Sequence, residues 1–180
     1  MNHPILAEVV SRCGACSFGT DWPSANEITE VDYPSGIDYA WIASDRDGRL
    51  GAFITAGCAP IPVEVFATEF SVATSIEARI DEIPVVTKAD LLITVGDASS
   101  YIALAERGFY VFDWTDIHRV RRAEIHAYEL VAKPERPAGL NSLPPDLASI
   151  AAGIRFWANF GSAPHFDVRT YKTCVEAERP

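Results

Sequence analysis

Residues 38–62 read DYAWIASDRDGRLGAFITAGCAPIP, and the centre of that run decides how the chain folds. Tyr39 to Ser44 and Leu50 to Thr55 are two short segments rich in aromatic and β-favouring residues. Between them lies Asp45-Arg46-Asp47-Gly48. Aspartate tolerates the left-handed backbone and glycine adopts it freely, so Asp-Gly between apolar runs predicts a hairpin. A calcium loop starting at Asp45 would need oxygen ligands at its first, third and fifth positions and a glutamate at its twelfth. The sequence supplies Asp45 and Asp47, then Arg49, and Ala56 where the glutamate belongs. The segment is a turn and not a metal loop.

Outward from the hairpin, Pro60 and Pro62 stop the second strand. Val63, Phe66, Phe70, Ala73, Ile76, Ile80 and Ile83 then recur at steps of three and four, the spacing of one helical face, until Pro84. Weak helix formers from Thr68 to Ser75 predict a break within it. DLLITV (90–95) reads as a short buried segment. Asp97 caps an expected helix from Ala98 to Arg107, and Gly108 supplies its left-handed stop. Phe109 to Trp114 and Ile125 to Ala132 are expected strands, and residues 133–143 a loop. Pro144-Pro145 opens a helix to about Gly153, since proline fits the first turn. Ile154 to Phe160 is expected as a last strand. Residues 1–37 are loop-rich. The order mixes a hairpin, helices and strands without repeated βαβ units, so the expectation is one α+β domain over 1–180, with helices packed on an antiparallel or mixed sheet.

Bulk properties narrow the function. The chain has 180 residues, 48% hydrophobic and 22% charged, enough to build a core without staples. Glu8 interrupts the apolar run near the start, and no window approaches the ~20 apolar residues of a membrane span, so a cytoplasmic protein is expected. The net charge is −10. All of that excess falls in residues 1–100, which hold 15 Asp and Glu against 5 Lys and Arg. Nucleic acid is disfavoured, because phosphates need a basic footprint and the one basic knot, Arg119 to Arg122, is short. An acidic half suits a cationic protein partner.

Three groups of residues could carry chemistry. Cys13-Gly-Ala-Cys16 has the spacing of a zinc pair or a redox dithiol. Zinc would need two further ligands, and Cys58, Cys174 and the 4 histidines form no second pair. Redox chemistry would want a strand before the motif and a helix after it, whereas a polar loop with Pro23 follows. The pair is read as small apolar residues, with a small-molecule or metal-binding protein or enzyme, using Cys13 and Cys16 with Asp113 and His118, as the alternative. Asp113, Asp116 and His118 follow a predicted strand and could do acid–base work, though aspartates there also shape turns. Trp41 and Trp114 alternate as core residues, while Trp22 and Trp157 lie in less regular segments and are candidate exposed anchors. Nucleotide-binding glycine loops, zinc-protease helices and serine-nucleophile elbows have no match. No cofactor is expected, and the balance weighs against an enzyme.

The stretches Asp38 to Gly48, Phe53 to Pro62, Gly108 to Asp116 and Tyr128 to Pro134, with Leu143-Pro-Pro145, resemble a group of small, uncharacterised bacterial proteins. That group is similar to the small acidic immunity partners of bacterial toxins. The resemblance covers roughly two thirds of the chain, rests on strands and turns, and carries over no catalytic residue. It implies a protein-binding domain facing a cationic toxin or effector. The acidic excess of residues 1–100, apart from the resemblance, points to Asp21, Glu27, Glu30 and Asp32, with Trp22 as anchor, as the expected contact set. An oligomeric structural protein is a third reading.

Overall fold

The computed structural model describes residues 38–57, 59–62, 65, 76–114 and 127–168. The predicted hairpin is present, with β1 (Ala40–Ser44) antiparallel to β2 (Leu50–Ile54) and Trp41 opposite Phe53. Its turn is closed by the Asp45 side chain. One carboxylate oxygen accepts the backbone N–H groups of Asp47 and Arg49, each at 2.9 Å, and Gly48 takes a φ of 76°. The second oxygen accepts the Phe160 N–H at 3.3 Å. Asp45 is fully buried, and these hydrogen bonds engage both of its carboxylate oxygens.

After β2 the chain forms α1 (Ile76–Asp81), β3 (Ala89–Leu91) and α2 (Ser99–Glu106) before β4 (Tyr110–Trp114) pairs parallel to β2. β5 (Tyr128–Pro134) is antiparallel to β4, and α3 (Pro145–Gly153) and β6 (His165–Phe166) follow. The described strands form one mixed sheet ordered β1-β2-β4-β5-β3, with β6 also on β5. The fold is α+β, as expected. Asp97 accepts the Ser99 N–H at 2.9 Å at the start of α2, and Gly108 ends that helix with a φ of 95°.

The sheet is buried on both faces. Ile42, Leu50, Ala52 and Val111 meet α1, α2 and α3 through Ile76 and Ile80, Leu104 and Ala105, and Leu147 and Ile150. The opposite face is aromatic. Trp41, Phe53 and Phe112 stand side by side on β1, β2 and β4, stacked at 4.1 and 4.9 Å between ring centroids. Phe156, Phe160 and Phe166, from the chain after α3, pack over this row, with Phe160 and Phe166 each 5.6 Å from Phe53. Trp41 Nε1 donates to the Tyr128 hydroxyl at 3.2 Å, which donates in turn to the Pro60 carbonyl at 3.0 Å. A bulge in β5 lets Val131 and Ala132, neighbours in sequence, both face the helices, since Val111 pairs with Ala132 and Phe112 with Leu130.

Three expectations need correction. DLLITV is not buried: Leu91, Leu92 and Val95 are exposed, because β3 is an outermost strand of the sheet and pairs only with β5 among the described residues. Residues 133–143 are not all loop, since β5 runs to Pro134 and a short 3-10 turn spans Leu140–Ser142. Ile154 to Phe160 is not a strand. It pairs with β1 only through an isolated bridge between Ser44 and Arg155, and the last described strand is β6. For the long helix predicted over 63–83, the described parts are Val65, which is helical and buried, and the stretch from α1 to Ile83, with Ile76, Ile80 and Ile83 buried.

Candidate functional site

Many residues singled out from the sequence lie outside the described set: Cys13, Cys16, Asp21, Trp22, Glu27, Glu30, Asp32, Cys58, Asp116, His118 and Cys174. Asp113 lies within it. It sits near the end of β4, almost fully buried, and its carboxylate accepts the Tyr101 hydroxyl at 3.0 Å. Glu129 on β5 is its cross-strand partner, and His165 on β6 is the cross-strand partner of Glu129. Directly opposed residues share a sheet face, so Asp113, Glu129 and His165 form a polar row on the helix side. The Tyr101 contact locks Asp113 under α2. Among the described residues no group of three or more His, Cys, Asp and Glu side chains is arranged to hold a metal ion. No described helix is long and apolar enough to cross a membrane.

The second feature is the β3 edge. Lys88 accepts the N–H of Glu135, and Leu92 donates to Val131, both at 2.9 Å. In an antiparallel ladder the intervening odd-numbered positions then turn their N–H and C=O groups the other way. Ala89 and Leu91 therefore offer backbone groups on the side away from β5. Around this edge Val85, Val86, Leu91, Leu92 and Val95 are exposed, Val85 at 59% and Leu92 at 46%. Exposed Asp81, Glu82, Asp90 and Asp97 lie near them in the chain, with Lys88 and Arg136 as exposed cations, and Asp81, Glu82 and Asp90 pair with Arg107, Arg79 and Lys133. The Asp97 carboxyl is held below its ordinary value first by the Ser99 backbone hydrogen bond, which keeps it charged.

The backbone that displays these side chains is fixed. Arg107 donates to the carbonyls of Ile83 at 3.0 Å, Asp81 at 3.1 Å and Ala103 at 2.7 Å. Arg136 donates to the Val86 carbonyl at 3.0 Å, and the Val86 N–H donates to Glu106 at 2.9 Å. The ion pairs Arg107–Asp81 at 3.3 Å and Lys133–Asp90 at 3.9 Å are surface pairs that contribute little energy. An apolar strip along an open strand edge can take up an extended chain by backbone pairing.

Sequence reasoning missed this strip because six apolar-rich residues read as buried. A signal was present: Lys88 and Asp90 place charges within and beside the short run, as edge strands do. Trp157, by contrast, is exposed at 64%, as expected. Comparison with protein-family models, curated proteins and solved structures found no match. The resemblance to small bacterial proteins rests on the quoted motifs alone.

Proposed function

We propose that this chain is a non-enzymatic protein-binding domain, similar in role to the acidic immunity partners of toxins, that takes a basic extended segment of another protein on its β3 edge. The observation carrying this reading is the exposed apolar set Val85, Val86, Leu91, Leu92 and Val95 beside backbone groups turned away from β5. Exposed apolar patches of this kind on a fixed backbone mark binding surfaces. The negative excess of residues 1–100 draws a cationic partner and speeds its encounter. Asp21, Glu27, Glu30 and Asp32 add to that field.

The test uses two labelled peptides that alternate valine with lysine or valine with glutamate, followed by fluorescence anisotropy. The lysine peptide binds at low salt, and its affinity falls about tenfold or more on Leu92→Lys. It also slows amide exchange at Ala89 and Leu91. Equal binding of the glutamate peptide, or binding indifferent to Leu92→Lys, would reject the edge as the docking surface. Neutralising Asp21, Glu27, Glu30 and Asp32 lowers the association rate more than it raises the dissociation rate.

A further inference from the structure

We draw no further inference here: the strongest candidate, the exposed apolar set Val85, Val86, Leu91, Leu92 and Val95 around the outer β3 edge, belongs to the site already described, and nothing in the structure shows what covers it.

Discussion

The centre of the sheet and its β3 edge are built from the same kinds of residue and end in opposite states. In β1, β2 and β4 every residue is buried, ring stacks on ring, and the strands are paired on both sides or tied to the segment after α3. In β3 and its flanks, valines and leucines stand in water next to carboxylates. What separates the two is the cover each receives, not hydrophobicity: β1 is an end strand like β3, but helices pack on one of its faces and the segment after α3 on the other. The aromatic row is thus a stability element, and the β3 strip is free to serve another purpose. That division makes the two regions respond differently to the same change.

The largest expected effect is at Phe53, which stacks between Trp41 and Phe112 and lies under Phe160 and Phe166. Phe53→Ala should cost about 3–5 kcal/mol in urea unfolding, whereas Leu92→Ala should stay within about 0.5 kcal/mol. Equal losses at the two sites would break the comparison. Next is Gly51→Ala. A Cβ there would lie 2.6 Å from the Phe160 ring and 3.0 Å from Phe53, so the aromatic cap must shift. A loss of about 1–3 kcal/mol is expected from such overpacking, read from the same urea midpoint.

The smallest effect concerns acid. The Asp146 carboxyl on α3 is held below its ordinary value chiefly by its hydrogen bond from Arg79 of α1, an ion pair at 2.6 Å. A depressed carboxyl stabilises the fold above its unfolded value, and the contribution is lost as pH falls through the folded one. Asp146→Asn should therefore lower the melting temperature slightly at neutral pH and leave it unchanged below that range. A deficit that persists in strong acid would show that packing, not charge, joins α1 to α3.

Much of this was legible in the residues. Asp47-Gly48 marked the hairpin, though not that the Asp45 carboxylate closes it; Asp97 and Gly108 bounded α2, and Pro145 opened α3. Trp41 and Trp114 were readable as core and Trp157 as exposed. The candidate docking strip was not legible, because apolar composition at 90–95 is shared by buried and exposed strands alike. The pairing of Val131 with Ala132 on one face was hidden too, since a bulge leaves no local mark.

Turns and helix ends are set by hydrogen bonds that reach only a few residues, so the sequence by itself determined them. Which strand became the edge, which loop capped the aromatic face, and where Leu92 met water depended on pairing between distant segments. Burial is a property of the assembled sheet, and only the tertiary structure could assign it.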